Sequence, residues 1–136
     1  MTRSCKDCIH PTRPAPHPGP RCATHHRAIV KARQSAAHAH RIEIRYGITE
    51  SDYRAIYEAQ GGTCFICQRA TGKTKRLAVD HNHKTGEVRG LLCGPCNRGV
   101  IGHLRDDTDA LRRAITYLAE QPAQAILLAL DTKETK

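Results

Sequence analysis

Seven cysteines constrain this chain more than any other feature, because every one of them lies in a closely spaced pair. The pairs, in chain order, are Cys5-x2-Cys8, Cys22-x2-His25, Cys64-x2-Cys67 and Cys93-x2-Cys96. An odd number of cysteines with this spacing is typical of thiolate metal sites and argues against a secreted disulfide framework. The pattern therefore predicts metal-stapled modules in a reducing compartment.

The size of the chain makes such a staple necessary. Its 136 residues are 39% hydrophobic and include no Trp and one Phe, so the apolar core is small. A core of this size is marginal without metal or covalent support. We expect a small α+β zinc-stapled domain with flanking helices and a separate N-terminal zinc module.

The N-terminal segment, residues 1–26, is predicted to be a zinc knuckle. Cys5, Cys8 and Cys22 supply three thiolates on either side of a proline-rich loop, and tetrahedral zinc accepts an imidazole as a fourth ligand. His25 and His26 are adjacent, and the sequence leaves open which of them binds. The alternative is a basic tail without metal.

Positive charge is concentrated in the first third of the chain. The net charge is +9, and residues 1–45 carry nine Lys and Arg against two acidic residues, which predicts DNA as a partner; a basic surface that serves solubility is the alternative. Residues 27–45 lack Gly and Pro and are predicted to form a basic helix that either follows a DNA backbone or is a solvated connector. Its basic stripe comprises Arg27, Lys31, Gln34, His38, Arg41 and Arg45, opposite Ile29, Ala32, Ala36 and Ala39.

Membrane insertion is not expected. The longest apolar stretch, Ala125–Leu130, is far shorter than a bilayer span. Together with the cysteine usage, this predicts a cytoplasmic protein.

Residues 46–121 are predicted to form the core, followed by a tail over 122–136 that is a short apolar turn or helix. Thr49 and Asp52 form a capping box for a helix that Gly61 and Gly62 end. Its apolar stripe of Tyr53, Ile56 and Tyr57 is interpreted as core. A later helix starts at Asp107 or Thr108 and is broken by Pro122, with Leu111, Ala114, Ile115 and Leu118 on one face.

Between Cys67 and Cys93 the sequence predicts a hairpin. Leu77–Val79 is predicted to be a strand, and Asp80-His81-Asn82-His83 follow it directly. A turn then leads into a second strand, Val88–Leu92. Four thiolates close a tetrahedral zinc site, so the zinc held by Cys64, Cys67, Cys93 and Cys96 is predicted to be structural. A helix is expected to begin at Asn97.

These motifs, in this order, resemble the recombination endonuclease VII family within the HNH endonucleases. The matching segments lie between Tyr46 and Asp107 and are Tyr46–Thr49, Cys64–Cys67, Asp80–His83, Gly86–Cys93, Cys96-Asn97 and Ile101–Leu104. The resemblance implies a treble-clef-like ββα-metal core and a phage DNA endonuclease. It also implies that Asp80 and Asn97 bind a catalytic Mg²⁺ or Mn²⁺, with His81 as general base and His83 as an auxiliary residue.

The chemistry of these residues agrees with the resemblance. Phosphodiester hydrolysis needs a base that works near neutral pH and a cation that stabilises developing charge. Carboxylate and amide oxygens suit a hard cation, whereas thiolates select zinc. His81 as a surface residue and His83 as a structural hydrogen-bond partner are alternatives, and Arg89 and Arg98 either grip phosphates or are solvated.

The substrate and the assembly follow only from the resemblance. We expect branched or distorted DNA as substrate and a possible homodimer. The alternatives are an HNH nicking or homing endonuclease that acts on linear duplex, and a noncatalytic zinc protein that binds DNA.

Overall fold

The structure, a computed structural model, describes residues 4–9, 13–15 and 19–134. Part of the predicted proline-rich loop, residues 16–18, and the last two residues of the predicted tail lie outside this range. The helices and strands of the described residues are, in order, α1 (Ala23–Tyr46), α2 (Glu50–Ala59), β1 (Ala78–His81), β2 (Val88–Leu92), a π-helix (Pro95–Gly102), α3 (Thr108–Glu120) and α4 (Ala123–Glu134). The chain is therefore a small α+β protein, as predicted.

The chain divides into two compact units. The first comprises Met1–Gly61 with His81–Arg89, and the second comprises Gly62–Asp80 with Gly90–Lys136. The two strands form one sheet, and its turn end belongs to the first unit while its base belongs to the second.

In the first unit, α1 is the long helix predicted from the Ala- and Arg-rich segment. It ends where Gly47 adopts a left-handed φ of 67° and its N–H donates to the carbonyl of Glu43 at 2.9 Å. Glycine favours this conformation because it has no Cβ to clash with the backbone. The predicted helix is confirmed.

The predicted faces of α1 are wrong in part. Ala32 and Ala36 are exposed, whereas Ile42 is buried and His38 is half-buried. The Nδ1 atom of His38 lies 3.0 Å from a carboxylate oxygen of Glu50, and its ring meets Tyr53 edge-on at 5.0 Å between centroids. His38 therefore packs against α2 and is not part of an exposed basic stripe. An imidazole can be placed there because its ring nitrogens can form hydrogen bonds with protein groups as well as with water.

The start of α2 is the predicted capping box. Asp52 N–H donates to the Thr49 hydroxyl oxygen at 3.1 Å, and Thr49 N–H donates to the Asp52 carboxylate at 2.8 Å. The Thr49 hydroxyl also donates to the Asp52 carboxylate at 2.7 Å. The bond from the Thr49 N–H, and then the one from its hydroxyl, lower the pKa of Asp52. Tyr53 is buried, which confirms it as a core residue.

In the second unit, the helix expected at Asn97 begins earlier, at Pro95, and is a π-helix. Proline is favoured at the first helical position because the N–H it lacks would have no partner there. A Cβ at Gly102 would lie 3.1 Å from the Asn97 carbonyl oxygen, so the absence of a side chain lets this turn close. His103 is the C-cap residue of the π-helix, and its N–H donates to the Val100 carbonyl.

The residues that bound α3 confirm the helix predicted from the sequence. Asp107 accepts hydrogen bonds from the N–H groups of Asp109 at 2.8 Å and Ala110 at 3.0 Å, and the bond from Ala110 contributes most to the lowered pKa of Asp107. Gln121 adopts a left-handed conformation before Pro122, and the predicted apolar turn or helix is α4. None of the helices in the described part of the chain is long and apolar enough to cross a membrane.

Candidate functional site

The N-terminal module brings Cys5, Cys8, Cys22 and His25 together. Cys22 precedes the first turn of α1 and His25 lies in that turn, so the two are on one side of the helix start. The Nδ1 atom of His25 lies 3.3, 3.5 and 3.4 Å from the sulfurs of Cys5, Cys8 and Cys22, respectively. His25 is therefore the histidine of this cluster, which answers the choice that the sequence left open.

These distances fit a zinc site. Zinc bonds of about 2.3 Å to sulfur and about 2.0 Å to nitrogen place tetrahedral ligands roughly 3.8 Å apart for two sulfurs and roughly 3.5 Å apart for sulfur and nitrogen. The Cys8 and Cys22 sulfurs are 3.9 Å apart, and all four ligand atoms lie within 4.8 Å of one another. The cluster could hold one zinc ion in a closed tetrahedron.

The second unit contains the predicted tetrathiolate. Cys64, Cys67, Cys93 and Cys96 also place their sulfurs within 4.8 Å of one another, and the Cys67 and Cys93 sulfurs are 3.8 Å apart. Because all four positions are taken by protein ligands, zinc bound here would serve the fold.

The pKa values of two of these thiols are shifted in opposite directions. Backbone N–H groups of Arg69 and Ala70 lower the pKa of Cys67 to about 6. Desolvation and the neighbouring thiols, in contrast, raise the pKa of Cys96 to about 12. Zinc binds thiolates, so a zinc ion bound here would have to displace the proton of Cys96.

The rings of Tyr46, His81 and His83 lie close together at the turn end of the hairpin, in the first unit. The His81 ring lies 5.2 Å from the Tyr46 ring and 4.8 Å from the His83 ring, measured between centroids, and both pairs are tilted. The Arg45 guanidinium carbon lies 5.6 Å from the Tyr46 ring centroid. The ring contacts hold His81 and His83 in place. His81 is half-buried, whereas His83 is exposed and reaches solvent.

A turn centred on Asn82 separates the two histidines. Its side-chain oxygen accepts hydrogen bonds from the N–H of Lys84 at 2.9 Å and of Thr85 at 3.4 Å. Its own N–H donates to the carbonyl of Glu87 at 2.8 Å, and the Gly86 N–H donates back to the Asn82 carbonyl at 2.7 Å. Asn82 thus shapes the turn that brings His81 and His83 to one side.

The proposed metal ligands belong to the second unit. Asp80 lies on β1 and is only 7% exposed, although it is charged. Asn97 is half-buried in the π-helix, directly after the cluster residue Cys96, and its N–H donates to the Cys93 carbonyl at 2.9 Å. The oxygens of Asp80 and Asn97 are of the kind that Mg²⁺ and Mn²⁺ accept.

Tyr46 was not among the predicted site residues. Its ring lies against His81, and the only sequence signal for this role is its place in the Tyr46–Thr49 motif. Arg89 and Arg98, for which two roles were left open, are both exposed.

Comparisons with known proteins agree with this description. The family model for recombination endonuclease VII matches residues 39–120. The chain is 55% identical to the "Gene 59 protein" of Mycobacterium phage D29 over 129 residues, which cover 92% of this chain and 78% of that protein. It is 54% identical to the "Gene 59 protein" of Mycobacterium phage L5 over 129 residues, which cover 92% of this chain and 79% of that protein.

Proposed function

Because this chain belongs to the recombination endonuclease VII family, we propose that it is a metal-dependent endonuclease that hydrolyses phosphodiester bonds in DNA. The observation that carries the proposal is the strand end at Asp80 and His81. A buried carboxylate is followed there by an imidazole packed between Tyr46 and His83. Phosphodiester hydrolysis needs both kinds of group.

His81 is the proposed general base. An imidazole gains and loses a proton near neutral pH, so it can accept a proton from the attacking water. The contacts with Tyr46 and His83 restrict the ring to one orientation, and a fixed base avoids the cost of ordering itself during the reaction. His83, which is exposed, is proposed to contact the scissile phosphate.

Asp80 and Asn97 are the proposed ligands of a divalent cation. Bound Mg²⁺ or Mn²⁺ would stabilise the negative charge that develops on the phosphoryl and leaving oxygens. Asp80 supplies the negative charge of the site, and Asn97 supplies a neutral oxygen. The zinc ligand Cys96 precedes Asn97 directly, so the tetrathiolate fixes the backbone from which Asn97 extends.

This assignment implies a ββα-metal core. The hairpin of β1 and β2 provides the two strands, and the π-helix takes the place of the helix. Asp80 at the base of the hairpin and Asn97 in the π-helix are both in the second unit, which the treble-clef-like tetrathiolate supports. The N-terminal module would be an addition to this core, since residues 1–38 lie outside the segment that the family model matches.

Branched or distorted DNA is the proposed substrate. The exposed cations of α1 bind phosphates without reading bases, and a distorted or open junction bends into a site at a lower deformation cost than a continuous duplex. The relatives are phage proteins, so we place the reaction in the cytoplasm of an infected cell, where seven free cysteines stay reduced.

We also propose that the chain forms a homodimer. On α3 the side chains of Ile115 and Leu118 are 68% and 74% exposed, and on α4 that of Leu128 is 65% exposed. Exposed apolar side chains in such number are typical of an interaction surface. Light scattering on the zinc-loaded chain tests this point, and a monomer at all concentrations would remove it.

One assay tests the reaction and the substrate together. Zinc-loaded protein is incubated with a labelled four-way junction and with linear duplexes of matched and randomised sequence in one tube, with and without added Mg²⁺ or Mn²⁺. We expect cleavage that requires the added cation and favours the junction. Asp80→Ala and Asn97→Ala should each lower the activity and weaken its dependence on the cation.

The outcomes separate the alternatives. Preferred cutting of one particular linear sequence would favour a homing-type endonuclease. Tight DNA binding with no cleavage under any cation would favour a noncatalytic binding protein.

A further inference from the structure

A cavity beside the tetrathiolate is not used by the proposed reaction. It has a volume of about 400 Å³, belongs wholly to the second unit, and is lined by Arg69–Leu77 and Cys93–Pro95. Residues Arg69–Arg76, which we call the basic loop, precede β1 directly.

The charged residues that line this cavity are all positive. The basic loop contains Arg69, Lys73, Lys75 and Arg76 and no acidic residue, and all four of these side chains are exposed. A fifth cation is close, since a Cβ at Gly94 would lie 3.4 Å from a guanidinium nitrogen of Arg98. Several exposed cations along one cavity suit a phosphate ligand.

Hydroxyl groups and tight turns complete the lining. Thr71 and Thr74 add hydroxyl groups, which commonly contact DNA phosphates. Gly72 has a left-handed φ of 70°, a conformation that glycine adopts readily.

Both walls of the cavity are held by the tetrathiolate. On one side the Cys64 N–H donates to the Ala70 carbonyl at 2.8 Å, and the Gln68 N–H donates to the Cys64 carbonyl at 2.9 Å. On the other side the wall contains the cluster residue Cys93 itself. The cavity is therefore formed before a ligand arrives, and less entropy is lost on binding.

We propose that this cavity binds a backbone phosphate of the DNA on one flank of the cut. The inference rests on the proposed function. Arg76 lies four residues before Asp80, and four extended residues span at most about 14 Å. Duplex DNA rises about 3.4 Å per nucleotide along one strand, so a phosphate held at the Arg76 end of the cavity would lie about four nucleotides from the scissile one. A phosphate held at a fixed distance would set which bond is cut.

The first experiment measures DNA affinity without added divalent cation, so that cleavage plays no part. Lys73→Ala/Lys75→Ala removes two cations from the basic loop, and Arg112→Ala/Arg113→Ala removes two from the exposed surface of α3. The logarithmic salt slope should fall by about 0.9 in the loop variant, because losing the contact with one phosphate removes about 0.9. It should stay near the wild-type value in the control. Equal slopes in both variants, each with two zinc ions, would overturn the proposal.

The second experiment locates the phosphate. The cut is mapped on a duplex or junction, and single neutral methylphosphonates are then placed at each of the six positions on either side. Wild-type cleavage should slow at one or two positions within about four nucleotides of the cut. The loop variant should show no additional loss at those positions, since its partner cations are already gone. Identical position profiles for the two proteins would overturn the proposal.

Failure of this inference is distinguishable from failure of the proposed function. If the wild-type protein neither binds nor cuts DNA, the proposed function itself fails. If it binds and cuts but the loop variant matches it in salt slope and position profile, only the phosphate site fails.

Discussion

The two cysteine clusters use similar ligand spacing but enclose very different amounts of structure. In the N-terminal module, 13 residues separate Cys8 from Cys22 in the sequence, and the cluster lies at the start of α1. The segment between Cys67 and Cys93 contains the basic loop and both strands, and Cys96 lies in the π-helix. The same metal chemistry would therefore support a helix end in one place and the hairpin with its preceding loop in the other.

The position of the proposed chemistry follows this difference. Asp80 lies within the segment that the tetrathiolate closes, and Asn97 directly follows its last ligand. In the first unit, Cys22 and Tyr46 are at opposite ends of α1, whose 24 residues span about 36 Å. The N-terminal metal is thus far from the ring that contacts His81. We expect its loss to alter DNA binding more than catalysis.

The largest effect is expected for Cys96→Ser. Structural zinc binding contributes about 10 to 16 kcal/mol in small modules, which equals or exceeds the whole stability of most domains. The variant should lose one zinc ion, the folded structure of the second unit and all cleavage. Elemental analysis and circular dichroism check this, and a folded, active variant would show that the tetrathiolate is not the main support.

The next largest effect is expected for His81→Ala. Removing a general base lowers cleavage roughly 10²- to 10⁴-fold, while both metal clusters and the cationic surface remain. DNA affinity and zinc content should therefore be nearly unchanged. His40→Ala, which alters an exposed histidine on α1, is the matched control and should cleave at the wild-type rate. A fully active His81→Ala protein would refute the proposed mechanism.

A smaller effect is expected in the N-terminal module, where adjacent histidines offer a matched pair. His25→Ala should reduce the zinc content from two ions to one, and His26→Ala should keep both. Single-turnover cleavage at saturating DNA should stay within about threefold of wild type in both, because the cluster is about 36 Å from Tyr46. Loss of cleavage in His25→Ala with the second unit still folded would contradict the separation of roles.

The smallest effect is expected where no metal is involved. Thr49→Ala removes the side-chain half of the capping box of α2 and should lower the free energy of unfolding by about 1 kcal/mol. Ser51→Ala in the first turn of the same helix is the control. Thermal unfolding at constant zinc measures both. A loss several times larger in Thr49→Ala would show that the first unit depends on local helix signals as strongly as the second depends on its metal.

Local signals explain what the sequence predicted correctly. Thr49 and Asp52, Asp107 with its two N–H donors, and the Cys-x2-Cys pairs each act over a few residues, so the chemistry of neighbours in the chain defines them. The hairpin was predictable for the same reason, since a polar turn joins two short apolar runs. Asp80, His81 and Asn97 were identified as candidate site residues because the motifs occur in the order typical of the family. Their catalytic roles stay predictions.

Tertiary structure decided the rest, because distant residues determine which face of an element is covered. His25 and His26 follow Cys22 by three and four residues, and both positions return to one side of a helix; only Cys5 and Cys8 select His25. His38 turns inward because Glu50 and Tyr53 meet it, and Tyr46 contacts His81 because the end of α1 meets the hairpin turn. The basic loop forms a cavity only because Cys93–Pro95 closes its other wall. Each of these outcomes depends on residues that are distant in the chain, and the sequence alone therefore left it open or did not predict it.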